Sequence, residues 1–570
     1  MPTESCQIID HADKRKSWNR ETATELLSEF QALRCHGWSQ RQFADEQDVP
    51  RTTLQQWIDR TERIDAPPEV VAFFESPMGL DFLHRLVVAA HLVMNNMGAC
   101  GLRMVALMLG LAGLGPFVGL SYGAHQEISE KLQKAVLEYE SEQRSLLAAR
   151  MPRKTITVCE DETFPAAGMC LVAVEPVSGF IVLEKYADKR DTETWNLALR
   201  QATSDLKVDI VQSTSDEASA LLRHAKDQGA HHSPDLFHVQ HEVNAALVLP
   251  LKRRAAQAEE VHNQAVGKLR KEEERQAAYE EGPRPRGRPP AFEQRVAAAQ
   301  FEVQRASLAL EGALEKQDRR KEAVARISRG YHPYDLDTGA RREAAQVHAG
   351  LNAQFEELCR IVDEAGLSEG ARKGIDKAAK VAPQMVATIA FFHDTVRRRV
   401  EARELPGELE SLLYQTLIPA SYIDNVANKV TPAATSAELR ATADAIRAPL
   451  REPSSPWART EPDLRREMTE LAQACADVFQ RSSSCVEGRN GRLGLWEHAL
   501  RHVSERKLHT LTTVQNYFAT RPDGTTSAER FFGTPHADLF EHLLAKMEPP
   551  PRSRRSGPAR EKTSTLEGAF

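Results

Sequence analysis

At 570 residues the chain is long enough for about three or four domains. Its 41% hydrophobic and 27% charged residues exclude a disordered polyelectrolyte and describe a globular protein. The formal net charge of −7 gives no overall attraction for nucleic acid, so any such contact must come from local basic runs such as Lys252-Arg253-Arg254 and Arg397-Arg398-Arg399.

The first residues, MPTESCQIIDHADKRK, lack the apolar run of a signal peptide. The eight cysteines form no CxxC pair, which argues against a zinc site, and their scatter suits a reducing cytosol. Glu21 to Cys35 carries Ala23, Leu26, Phe30 and Leu33 at helical spacing. Ser39 can cap a second helix that buries Phe43 and Ala44, and Pro50 opens a third that buries Leu54 and Trp57. The third helix then exposes Arg51, Thr52, Thr53, Gln55 and Gln56. This is the plan of a DNA-binding helix-turn-helix, and its plainer alternative is an αα-hairpin. Residues 67–150 read as a second helical unit, with one helix near Gly101 to Leu111 and a long one from Pro116 to about Ala149. The apolar stretch Met104 to Leu120 spans 17 residues with four glycines and a proline, too short and too broken for a membrane span.

From Thr155 the texture becomes strand-like. TITVCEDETF alternates Ile156 and Val158 with polar neighbours and ends on Glu160, Asp161 and Glu162. Gly168 to Val177 and Phe180 to Tyr186 flank a Ser178-Gly179 turn, so three antiparallel strands are predicted. A helix over 191–205, a strand over 208–213 ending at Asp216, a helix over 217–228 and a short strand Asp235 to Val239 complete a βββαβαβ order. Asp161 and Asp216 then fall at the ends of two strands that could be neighbours. Such oxygen ligands suit Mg²⁺ or Mn²⁺, and a third acid would help hold a second ion. Glu160 and Glu162 remain alternatives to Asp161, because adjacent strand positions face opposite ways.

Residues 245–480 are helical in texture, with two long segments over 251–281 and 292–327 forming a hairpin. Its tip, GPRPRGRPP, cannot be helical. It reads as a basic turn, or as an extended RGRP segment that would place Arg286 and Arg288 in a DNA minor groove. Further helices are predicted over 340–365, 369–403, 408–430 and 436–450. Beyond them, Glu487 and Asn490 share one face of a helix by i, i+3 spacing, and Gly491 and Gly494 continue that face. A surface glutamate on an amphipathic helix is the plain alternative for Glu487. The tail from Pro549, PPPRSRRSGPAREK, is basic and proline-rich and is predicted to be disordered.

The DETF at 161–164, SDEA at 215–218, RSSSCVEGRNGRL at 481–493 and DGTTSAERFFG at 523–533 resemble the motifs of DDE-type insertion-sequence transposases. The resemblance covers 155–244 and 480–545, and 20–150 only by architecture. It implies an α/β ribonuclease H-like catalytic core with a mixed sheet, preceded by an all-α helix-turn-helix region and interrupted by a large all-α insertion. The corresponding units are 1–66, 67–150, 151–244, 245–480, 481–548 and the tail 549–570. It further implies that Asp161, Asp216 and Glu487 are catalytic metal ligands for Mg²⁺ or Mn²⁺. Asp235 and His238, in DLFHV, would support those ligands or touch DNA, with Asp235 the alternative second ligand; a core histidine is the other reading of His238. The implied partners are double-stranded element ends and target DNA, bound by a homodimer or larger assembly. The implied setting is the bacterial cytoplasm, at the nucleoid, with no membrane.

Overall fold

In the computed structural model, which describes residues 18–165, 168–283, 287–500 and 502–552, helices lead into a single sheet and then interrupt it. Helices α1 (Arg20–Arg34), α2 (Gln40–Glu46) and α3 (Arg51–Glu62) enclose a small core of Leu27, Phe30, Phe43, Val49, Leu54 and Trp57. Ser39 and Gln42 close a capping box at the start of α2, satisfying N–H groups that the first helical turn leaves free. The chain turns into α3 through Asp48, at φ 51°, and Pro50. On α3, Arg51, Thr52, Gln55 and Gln56 are exposed and Thr53 is half-buried.

Helices α4 (Pro68–Phe74), α5 (Pro77–Ala90), α6 (Leu102–Leu111) and α7 (Tyr122–Arg150) follow, and α5 runs on as a π-helix over His91–Met97. The apolar stretch 104–120 is not one helix. It breaks after Leu111, and α7 starts only at Tyr122, where the Ser121 side chain accepts the Ala124 N–H. Among the described residues, Pro77–Met97 alone is long and apolar enough to cross a membrane, and half of its apolar window is buried within the protein. Leu83, Val87, Leu132 and Val136 from these helices share one core with Ile156, Val158, Leu171 and Trp195, so the unit over 67–150 packs as part of the α/β region.

Strands β1 (Lys154–Thr163), β2 (Met169–Glu175) and β3 (Phe180–Ala187) form an antiparallel meander. Gly179, at φ 75°, makes the turn between β2 and β3 that a side chain would strain. After α8 (Thr192–Thr203), β4 (Val208–Ser215) pairs parallel with β1; after α9 (Ser219–Asp227), β5 (His231–Pro234) pairs parallel with β4. The sheet order is β3-β2-β1-β4-β5, a mixed α/β arrangement.

The predicted strand Asp235 to Val239 is instead a helix start. β5 ends at Pro234, and the Asp235 carboxylate accepts the Phe237 N–H at 2.8 Å, capping α10 (Leu236–Glu281). Leu236, Val239, Val243 and Leu247 then lie at helical spacing and are all buried. α10 passes through Pro250 and pairs with α11 (Phe292–Gly330) as the predicted hairpin. Arg288 at its tip is exposed; Arg286 lies outside the described residues.

Helices α12 (Ala344–Glu364), α13 (Glu369–Ala379), α14 (Ala382–Glu401), α15 (Gly407–Leu412), α16 (Ile418–Lys429), α17 (Ala433–Arg447), α18 (Pro456–Arg459) and α19 (Pro462–Ala476) complete the insertion. The predicted helix over 369–403 is thus two, divided just before Pro383, which sits in the first turn of α14. These helices surround their own core, which includes Leu358, Ile375, Met385, Phe392, Ile423 and Phe479.

The chain returns to the sheet with α20 (Ser484–Leu500), α21 (Glu505–Tyr517), α22 (Ser527–Phe532) and α23 (Leu539–Lys546). Val486, Leu493 and Trp496 of α20 cover the sheet face formed by Cys159, Val172 and Val174, opposite α8 and α9. The tail is not loose at its start. Pro551 accepts the Gly119 N–H at 2.8 Å, Arg20 donates to the Pro550 carbonyl at 2.6 Å, and Arg552 pairs with buried Glu75 at 2.6 Å. Those contacts dock 549–552 against α1 and α4; the rest of the tail lies outside the described residues.

Candidate active site

The alternation of β1 separates its three acids. Glu160 and Glu162 share the face of Val158 and point toward α8 and α9. Buried Glu160 accepts from Ser213 Oγ at 2.5 Å and lies 3.2 Å from His224 Nε2. Glu162 accepts from Trp195 Nε1 at 3.1 Å and sits 3.5 Å from Arg190. Neither alternative therefore faces α20. Asp161 shares the face of Cys159, and its antiparallel partner Val172 packs in the core beneath α20.

Parallel pairing aligns the second acid with the first. Cys159 pairs with Thr214, and Asp161 and Asp216 each lie two residues further along adjacent strands. Asp216 Oδ1 accepts the Ala218 N–H at 3.0 Å, a local turn that fixes the carboxylate just past β4. Glu487 arrives in the first turn of α20, half-buried. One turn on, Asn490 Nδ2 donates to Asp161 Oδ2 at 2.8 Å, while Asp161 Oδ1 accepts the Glu162 N–H at 2.8 Å.

The electrostatics describe the same meeting. The Asp161 carboxyl is raised to about 6, chiefly by burial and also by the Glu487 and Asp216 charges, against the Glu162 N–H and His238, which pull it down. Among the described residues, no basic side chain forms an ion pair with Asp161, Asp216 or Glu487. A carboxylate that feels two further acids and has no ion-paired base is the donor chemistry that Mg²⁺ or Mn²⁺ would balance. As the side chains stand, no three His, Cys, Asp or Glu residues among those described are drawn close enough to hold a metal ion. Carboxylate oxygens are donors of the kind a hard divalent ion takes.

Asp235 is not interchangeable with Asp216. Besides capping α10 it accepts from Ser483 Oγ, and Leu236 N donates to the Arg481 carbonyl at 2.9 Å. It therefore joins the starts of α10 and α20 and is almost fully buried. His238 Nε2 stands 3.8 Å from Asp235 with a side chain 37% exposed, which removes it from the core. Two groups escaped the sequence reading. Glu217, next to Asp216, is pushed up to about 7 by burial and by the Asp216 charge. Buried Arg489 makes a two-pronged ion pair with Glu184 of β3, at 2.7 and 2.6 Å, that pins α20 to the sheet between Glu487 and Asn490. Its only trace in the sequence is a carboxylate within the apolar strand FIVLEKY.

Along α20, side chains added at Gly488, Gly491 or Gly494 would meet open space, so the helix presents bare backbone beside Glu487. The predicted DNA-contacting residues of α3 are on a separate unit. There Gln55 accepts from Gln40 and donates to Asp59, and Arg51, Thr52, Gln55 and Gln56 are all exposed.

A family of unknown function, DUF6399, matches residues 413–559, a span that includes Glu487 and Asn490 but neither Asp161 nor Asp216. No curated protein and no solved structure matches the chain.

Proposed function

We propose that this chain is a DDE-type insertion-sequence transposase with a ribonuclease H-like core, cutting and joining DNA strands at Asp161, Asp216 and Glu487. The observation that carries the reading is that Asp161, on β1, feels the charges of both Asp216, just past β4, and Glu487, on α20, although 271 positions separate the last two (487 − 216). The mixed sheet and the all-α insertion ahead of the last acid support it.

The three carboxylates would hold Mg²⁺ or Mn²⁺, which would supply activation of a water or 3′-hydroxyl nucleophile and charge neutralisation at the leaving oxygen. Asn490 holds Asp161 by one oxygen, and the Glu184–Arg489 pair sets the position of α20. The bare glycine face of α20 lets a DNA backbone approach Glu487 closely. Arg51, Thr52, Thr53, Gln55 and Gln56 of α3 would read double-stranded DNA, with Arg286 and Arg288 contacting it from the hairpin tip. Joining two ends calls for at least a homodimer on DNA, at the nucleoid of a bacterial cell.

The test uses the DNA flanking the gene, supplied as pre-nicked ends with Mg²⁺. Joined products are expected, and Asp161→Ala, Asp216→Ala and Glu487→Ala should bind those ends without joining them. Normal joining by any variant removes that residue from the site. Cleavage without joining would instead indicate a ribonuclease H-like nuclease, and binding without cleavage a DNA-binding remnant.

A further inference from the structure

The α1–α3 unit keeps a core of its own, built from residues such as Leu27, Phe30, Phe43, Leu54 and Trp57. Residues 63–67 connect it to α4, and α1 lies against α5. A unit with a separate core and a short connector needs specific contacts to fix its direction. The far end of the chain supplies them. Three consecutive residues, Pro550, Pro551 and Arg552, reach both α1 and the helices that pack onto the sheet.

Arg20, at the start of α1, donates to the Pro550 carbonyl at 2.6 Å. The Pro551 carbonyl accepts the Gly119 N–H at 2.8 Å, in the turn ahead of α7. The Arg552 guanidinium then spans the two units: it pairs with Glu75, at the end of α4, at 2.6 Å and donates to Thr24 of α1 at 3.3 Å. Arg20 approaches the other Glu75 oxygen at 3.7 Å, and the Glu75 side chain is 4% exposed. One buried carboxylate is thus shared by guanidinium groups from the two ends of the chain. Without Arg552, buried Glu75 would be left with the longer contact to Arg20 and poorly compensated.

The surface beneath the segment is shaped for backbone as well as for charge. A Cβ at Gly119 would stand 3.4 Å from both the Pro551 and Arg552 carbonyl oxygens, so a larger side chain there would push the segment away. Prolines suit this position. Their fixed φ keeps the segment extended, and they bring no N–H in need of a partner. Just ahead of them, Glu548 pairs with Lys131 of α7 at 3.1 Å on the exposed side.

We propose that Thr24, Glu75 and Gly119 form a seat for an extended proline–arginine segment, and that Pro550-Pro551-Arg552 fills it as a strap holding the α1–α3 unit in one orientation on the α/β region. The exposed residues Arg51, Thr52, Gln55 and Gln56 of α3 are thereby kept at a fixed direction from the sheet. The inference concerns the placement of this unit and does not depend on the reaction proposed for the acids.

The test reads that orientation by pulsed electron paramagnetic resonance on the full-length protein. One spin label is placed on exposed Cys35, just after α1, and one on α8 through Leu197→Cys, an exposed position; Cys6, Cys100, Cys359 and Cys485 are replaced by serine. The strapped protein should show a single narrow distance. Arg552→Ala removes the charge and Gly119→Leu blocks the seat, and each should lose that distance in favour of a broad distribution while circular dichroism matches the parent. The two substitutions act on opposite sides of the contact, so one decides if the other fails to fold. Retention of the narrow distance in either folded variant would overturn the proposal, as would a broad distribution in the parent.

Discussion

The two faces of β1 put neighbouring carboxylates to opposite uses. On the α8–α9 side, Glu160 is buried between Ser213 and His224, with each oxygen engaged. On the α20 side, Asp161 feels the charges of two more acids and is held by an amide and a backbone N–H, without an ion pair among the described residues. The first arrangement is a satisfied structural carboxylate. The second is a carboxyl raised mainly by burial and in part by two like charges, which a bound cation would offset. What distinguishes them is the partner set of each face, because the residues differ by one methylene and one position.

The widest separation of the faces is expected from paired substitutions. Asp161→Asn should retain the fold and reduce metal-dependent DNA cleavage to background. Glu160→Ala should leave His224 and Ser213 without their buried acceptor and lower stability by about 3 kcal/mol, read by urea unfolding. A stable Glu160→Ala protein, or an active Asp161→Asn protein, breaks the contrast. Next in size is Arg489→Ala, which strands Glu184 in the interior. Its expected cost is again about 3 kcal/mol by the penalty for an unpaired buried charge, with cleavage falling because α20 loses its anchor. Glu184→Gln combined with Arg489→Met should recover much of the stability.

Smaller still is Asn490→Ala. It removes one half-exposed hydrogen bond, worth about 1 kcal/mol, yet should depress cleavage more than stability because Asp161 loses its orientation. The pH dependence is the finest probe. The Asp161 carboxyl is raised to about 6 in the folded protein, above its ordinary value near ~3.9. Between these values the folded state binds more protons than the unfolded state, so without divalent metal this group lowers stability as pH rises from about 4 to about 6. Asp161→Asn should flatten that part of the stability–pH curve; an unchanged slope would assign it to other groups.

Much of this arrangement was legible in advance. The period of two in TITVCEDETF already opposed Asp161 to Glu160 and Glu162, and helical spacing put Glu487 beside Asn490. Which face of β1 meets α20 was not legible, because that follows from Cys159 and Val172 packing under a helix over 300 residues later. DLFHV was misread for a local reason: a short apolar run reads as strand unless Pro234-Asp235 is weighed as a strand stop and helix cap. Only the start of the tail, 549–552, departs from that expectation, because composition does not register one anchoring arginine, Arg552, paired with buried Glu75. The Glu184–Arg489 pair had no sequence signal strong enough to connect its halves.

The claim that most needs testing is that Asp161, Asp216 and Glu487 gather around one divalent-metal site. Fe²⁺ substituted for Mg²⁺, with ascorbate and peroxide, cuts a polypeptide backbone beside the bound ion. The account predicts cuts close to residues 161, 216 and 487 in the same protein, suppressed by excess Mg²⁺ and absent from the Asp161→Asn, Asp216→Asn, Glu487→Gln triple variant. Cuts confined to other segments, or cuts that persist in the triple variant, would contradict it.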